Sequence, residues 1–223
     1  MEDDVRFTVP LFTPREAAQH LGMPRSTLRA WLTNKAGPAP LVHRVDPDVR
    51  RGSSVPFIAM IEAHVLRGFR ALGLTPTEIK SAVTRLRREL GTEFALASSR
   101  LATDGVSLLV DMSDTFERPR WERARDGQRV IDEIIGDYLR FVIWPPGGDE
   151  YPNRLRLRTY EGADVIIDPR FGFGQPILER SKIKVEDILD AFRSGEGNRV
   201  IADEFGIETE EVEAIIRARL RAA

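Results

Sequence analysis

Five side chains between residues 25 and 33 have the types and spacing to grip an anion or read a base edge: Arg25, Ser26, Thr27, Arg29 and Thr33. Arginine holds phosphate oxygens, or the O6/N7 edge of guanine, in a bidentate fork, and Ser and Thr hydroxyls suit either phosphate or base. Leu28, Trp31 and Leu32 are interleaved with them at helical spacing. A helix here would turn a cationic face outward and an apolar face inward. The alternative is a helical hairpin whose polar face is merely solvated.

A reading helix needs a second helix to hold its angle. Thr13-Pro14-Arg15-Glu16 is a helix start with a capping box, and Gly22 is a left-handed turn residue. Ala18 stands four before that glycine, small enough for two helices to cross. Leu28 and Trp31 stand six and nine after it, facing the seam. This spacing predicts a helix-turn-helix. Leu41–Val45 and Val55–Phe57 then read as two strands around a basic tip, a wing offering His43, Arg44, Arg50 and Arg51 to a phosphate backbone. Helices follow over Phe57–Leu72 and from a second capping box at Thr75-Pro76-Thr77-Glu78.

The stretches Phe12–Trp31 and Arg70–Ile79 resemble MerR-like winged helix-turn-helix regulators, over about residues 11–90. The resemblance implies operator binding. Two departures matter. The chain breaks at Gly91, where that family continues into a dimerisation helix, and it has no cysteine for thiolate metal sensing.

Residues 182–220 repeat the pattern. Gly206 is the turn glycine, Ala202 lies four before it, and Val212 and Ile215 lie six and nine after. Asn198 is the expected cap of the helix before the turn. The outward positions are opposite in kind: Thr209, Glu210 and Glu213, with Glu208 and Glu211 beside them. Carboxylates suit a helix N-terminus and repel phosphates. Protein contact is therefore expected here, against the plainer reading of solvated capping.

Between the two motifs, Val106–Met112 reads as a strand, Phe116–Arg129 as a surface segment, and Gln128–Phe141 as a helix. Trp144–Asp149 is a proline- and glycine-rich loop. Arg154, Arg156 and Arg158 alternate with leucines. They read as a solvated edge strand, or as an arginine row for an acidic partner. The glycine-rich turn Phe171–Ile177 lacks the Lys-Ser/Thr of a phosphate loop.

Composition bounds the rest. The 223 residues sum to a net charge of -2. That figure hides 15 Lys and Arg against 10 Asp and Glu in residues 1–100, a net of +5, and a net of -7 beyond. No cysteine means no disulfide scaffold, thiolate metal site or cysteine nucleophile. His20, His43 and His64 show no ligand spacing, and no nucleophile elbow or Walker motif occurs. No enzyme activity, cofactor or metal is expected. No apolar run reaches a membrane span, and Met1-Glu2-Asp3-Asp4 is unlike a signal peptide, so a cytoplasmic location is expected.

The predicted fold is mainly α with short β elements, an α+β class. A winged helix-turn-helix occupies residues 1–95, a mixed linker or dimerisation region 96–163, and a three-helix helix-turn-helix-like domain 164–223. The run Ile167-Asp168-Pro169, Gly174-Gln175-Pro176-Ile177, Ile183-Lys184-Val185 and the Gly206 helix pair resembles the antitoxin domain of VapB-type toxin–antitoxin systems. It departs at Arg180-Ser181-Lys182, where that family commonly has Gly-Thr-Arg, and at Glu208, where it favours Thr. The resemblance implies an antitoxin that binds operator DNA as a homodimer, represses its own operon and neutralises a PIN-domain ribonuclease toxin. Arg154, Arg156, Arg158, Glu208, Glu210 and Glu213 are then the candidate toxin contacts. The alternative is a stand-alone regulator with a ligand- or protein-binding C-terminal part.

Overall fold

The computed structural model of the chain describes residues 4–33, 39–46, 52–105, 107 and 127–221. A short helix α1 (Val5–Thr8) and strand β1 (Pro10–Phe12) precede the first capping box. There the Glu16 amide donates to Thr13 Oγ1 at 3.3 Å, and Glu16 Oε2 accepts the Thr13 amide at 2.8 Å. Helix α2 (Pro14–His20) starts on that box. Gly22, at φ +61°, turns the chain so that the Met23 amide bonds the Ala18 carbonyl at 2.9 Å. Helix α3 (Arg25–Thr33) follows. The box recurs at Thr75 and Glu78, opening α5 (Pro76–Leu90), which ends on left-handed Gly91.

The wing differs from its predicted form. Strand β2 (Val55–Pro56) pairs with β1, not with Leu41–Val45. The Ser54 amide bonds the Phe12 carbonyl at 2.9 Å, and the Val45 amide bonds the Ser54 carbonyl at 3.0 Å. The Leu41 and Val42 amides are drawn instead to the carbonyl of Trp31, at 3.1 and 3.2 Å. The basic tip, with Arg50 and Arg51, lies outside the described residues. So do most of the predicted strand Val106–Met112 and residues 116–126 of the predicted surface segment.

Helix α4 (Phe57–Ala71) is the axis of the core. Nearly every residue from Phe57 to Phe69 is buried, as expected of a helix packed on all sides. It lies against α6 (Gly127–Leu139). Gly68 allows the approach: a Cβ there would lie 3.1 Å from Tyr138 Cδ2. His64 Nε2 sits 2.9 Å from the Tyr138 carbonyl. The break predicted at Gly91 leads into a buried segment. Phe94, Ala95, Leu96 and Ala97 are interior, and Ser98 Oγ donates to Glu150 at 2.8 Å. One cluster of buried side chains consequently runs through all three segments of the chain.

A four-stranded antiparallel sheet follows in chain order: β3 (Val142–Ile143), β4 (Arg154–Arg156), β5 (Val165–Ile167) and β6 (Ile177–Leu178). Leu155 faces Val142 on one side and Ile167 on the other, so β4 is an inner strand and not the predicted edge. Helices α7 (Val185–Arg193), α8 (Asn198–Phe205) and α9 (Thr209–Arg221) complete the chain. Gly197 precedes α8, and Asn198 is its first helical residue rather than its cap. The molecule is mixed α+β, with an N-terminal helix-turn-helix. Among the described residues, no helix is long and apolar enough to cross a membrane.

Candidate nucleic-acid interface

Helix α3 divides its residues cleanly. Leu28, Trp31 and Leu32 are buried, while Arg25, Ser26, Arg29 and Thr33 are exposed and Thr27 is half-buried. The inward residues lock the helix by apolar burial, and the outward ones keep their donors for a partner. Arg25 and Arg29 make no hydrogen bond or ion pair with any described residue. The Thr33 hydroxyl donates to the Arg29 carbonyl at 2.8 Å, a local bond that a ligand would have to replace.

The turn that presents α3 is itself held. The Arg67 guanidinium donates to the Leu21 carbonyl, and the Thr159 hydroxyl donates to the His20 carbonyl at 3.4 Å. A Cβ on Gly22 would come 3.0 Å from Thr159 Cγ2, so the left-handed glycine also permits a close contact with the middle of the chain. His20 lies behind this turn. Burial pushes its pKa down to about 4, with Arg219 adding to the effect and Glu16 opposing it.

The wing residues separate. Arg44 is exposed and pairs at 3.3 Å with Asp46, a carboxylate almost wholly in solvent, so the pair is easily exchanged for phosphate. His43 is engaged inward. Its amide donates to Glu62 at 2.7 Å, Nδ1 lies 3.2 Å from the same carboxylate, and Nε2 lies 3.3 Å from Glu93. Sequence offered no sign of this, because Glu62 is nineteen residues away on another element.

The arginine row is likewise occupied. Arg154 and Arg156 share Glu179, each at 2.6 Å, and Arg156 also reaches Asp164 at 3.4 Å. Arg158 pairs with Asp137 at 2.8 Å and lies over the rings of Tyr138 and Phe141. Spacing rightly put Arg154 and Arg156 on one face. The carboxylate that meets them comes from the turn after β6.

The second motif copies the turn of the first. Gly206 has φ +63°, and the Ile207 amide bonds the Ala202 carbonyl at 3.0 Å. Val212 and Ile215 are buried; Glu208, Glu210 and Glu213 are exposed. Glu211 Oε2 accepts the Glu208 amide at 3.1 Å and so caps α9. One scaffold thus carries a cationic face at α3 and an anionic face at the start of α9. Among the described residues, no group of three or more His, Asp or Glu is arranged to hold a metal.

Comparison with known proteins matches these two regions separately. Residues 10–83 fit a family described as "Putative DNA-binding HTH domain", and residues 165–217 fit a protein family of unknown function, DUF433. Across its whole length the chain is 30% identical to the protein named "Putative antitoxin VapB45" from Mycobacterium tuberculosis, covering 95% of this chain and 94% of that one. The crystal structure of Rv2018 from the same organism superposes with a TM-score of 0.79 at 27% identity, covering 95% of this chain and 99% of the other.

Proposed function

The chain belongs to the family of the VapB45-type antitoxin, with a DNA-binding helix-turn-helix, and from that premise we propose that it represses its own operon and neutralises a PIN-domain ribonuclease toxin. The observation that carries the DNA half is the state of Arg25 and Arg29. Both are exposed on a helix locked by Leu28, Trp31 and Leu32, and neither is spent on a described partner. Arg25, Ser26, Thr27, Arg29 and Thr33 would enter the major groove, with Arg44, Arg50 and Arg51 along the backbone. His43, tied to Glu62, would support the wing from beneath. A homodimer would place two such helices on paired half-sites.

Residues 164–223 would contact the toxin. A ribonuclease must carry a cationic surface for RNA phosphates, and the Glu208, Glu210 and Glu213 face complements it. Arg154, Arg156 and Arg158 would take part only by leaving Glu179 and Asp137. Residues 96–163 would join the two halves and support the dimer. The protein acts here as a cytoplasmic regulator, not as an enzyme.

The deciding experiment has two arms. Changing Arg25 and Arg29 together to Ala should weaken binding to a duplex taken from upstream of the protein's own gene, and reduce its salt slope by up to about 2 if both touch phosphate. An unchanged affinity and slope would sink the DNA assignment. Co-expression with the neighbouring reading frame, followed by pull-down, should yield a complex that silences a ribonuclease. Intact DNA binding with no co-purifying toxin would leave the stand-alone regulator.

A further inference from the structure

A cleft of about 730 Å³ opens where the helix-turn-helix turn meets the last helix. Its walls come from distant parts of the chain: Arg15 on α2, Arg25 at the start of α3, the loop after β4, and Arg219 and Arg221 at the end of α9. Arg15, Arg25, Arg219 and Arg221 are all exposed, and none forms a hydrogen bond or ion pair with a described residue. Arg158 also lines the cleft but is neutralised by Asp137. Glu161 is the one carboxylate among the described lining residues. Glu186, whose charge reaches His20 nearby, is held by Arg193 at 2.7 Å. Four guanidinium groups without an ion-pair partner among the described residues, against Glu161 in the lining and Glu16 beside Arg15, leave a net positive concave surface that draws anions.

The geometry is fixed rather than incidental. The loop of residues 158–162 is a wedge between the two motifs. Thr159 packs on Gly22, and Gly162 packs on α9, where an added Cβ would lie 3.4 Å from Ala214 Cβ. Helix α9 is also polarised. Its carboxylates Glu210, Glu211 and Glu213 occupy the first turns, while Arg217, Arg219 and Arg221 occupy the last. The acidic end is therefore well removed from the cleft, by most of the helix's length of roughly 20 Å.

We propose that this cleft holds one or two backbone phosphates of the DNA read by α3, which makes Arg219 and Arg221 of the C-terminal domain part of the DNA interface. The proposal rests on α3 being the DNA-reading helix, and it extends that interface onto the domain otherwise assigned to the toxin. A toxin covering the end of α9 would then compete with DNA for the same arginines.

The test uses the full chain and a random-sequence DNA duplex titrated over a range of salt concentrations. Arg219→Ala with Arg221→Ala should flatten the salt slope by about 0.9 for each phosphate no longer neutralised. Arg219→Lys with Arg221→Lys should restore it, since the charge remains. Both side chains are exposed in the last turns, so the melting temperature should not move; if the alanine pair proves unstable, Arg219→Gln with Arg221→Gln, which removes the charge but keeps a long polar side chain, decides by the same slope. A slope that the alanine pair leaves unchanged, while Arg25→Ala with Arg29→Ala reduces it, overturns the proposal alone. A slope that neither pair changes overturns the DNA reading and the proposal with it. An alanine pair that weakens binding of inorganic phosphate but leaves the DNA slope intact makes this a small-anion site, and also overturns it.

Discussion

The fully buried carboxylate of Glu62 accepts the backbone amide of His43 on Oε2 at 2.7 Å and its Nδ1 on Oε1 at 3.2 Å, with Arg87 Nη2 3.9 Å from Oε1 as well. The contact joins the wing to the central helix. Burial works against a charged imidazole. The hydrogen bond and charge of Glu62, with Glu93 beyond, outweigh it and raise the His43 pKa above its ordinary value.

Removing Glu62 takes from the His43 amide and ring their buried acceptor, while Arg87 keeps its bonds to the Pro40, Leu41 and Glu93 carbonyls. Glu62→Ala is expected to cost about 3 kcal/mol in urea unfolding, whereas the exposed Glu93→Ala should stay within about 0.5 kcal/mol. The His43 pKa, followed by NMR, should fall in Glu62→Ala if the fold survives. An equal loss in the two variants would remove Glu62 from this role.

His64 predicts the response to acid. Burial pushes its pKa down to about 4, against the pull of its bond to the Tyr138 carbonyl, and Arg67 and Arg158 add to the shift. Between that value and the ordinary 6.5, the unfolded chain binds a proton that the folded chain does not. Stability is thus full above the unfolded value and falls as the pH drops, by about 3 kcal/mol at most from this one ring. His64→Gln keeps a donor near the Tyr138 carbonyl without titrating. Urea midpoints compared at pH 7 and pH 4.5 should show a smaller acid loss in the variant than in the wild type. Parallel losses would contradict the assignment.

Two left-handed glycines separate strain from packing. Gly206 has nothing within 4 Å of an added Cβ, so Gly206→Ala should cost about 1 kcal/mol, the backbone penalty alone. At Gly174 the same Cβ would lie 2.6 Å from Leu11 Cδ1 and 3.2 Å from Leu11 Cβ. Gly174→Ala should therefore cost more than about 2 kcal/mol. Cutting Leu11 back to Ala in the same chain should recover part of the difference in the thermal melt. No recovery would mean that the two segments do not meet at this point.

Local rules made much of the site legible. The capping boxes at Thr13 and Thr75, the left-handed turns at Gly22 and Gly206, and the inward set Leu28, Trp31, Val212 and Ile215 all follow from bonds and contacts within a few residues. The outward set Arg25, Ser26 and Arg29 follows from the same period. The resemblance to VapB-type antitoxins likewise rests on short strings, and the whole-length match to a VapB45 relative agrees with it.

The sequence by itself therefore determined the two helix-turn-helix units and the opposite charge of their exposed faces, because caps and helical period act over three or four residues. Tertiary structure alone decided the pairings. It put Pro10–Phe12 rather than Leu41–Val45 beside Val55, made β4 an inner strand, and gave Arg154 and Arg156 to Glu179 and His43 to Glu62. It also brought Arg219 to the cleft of Arg25, from almost two hundred residues away. A charge has no periodicity that names its partner. Which carboxylate meets which arginine depends on the path of the whole chain, and that path is set by burying one common core.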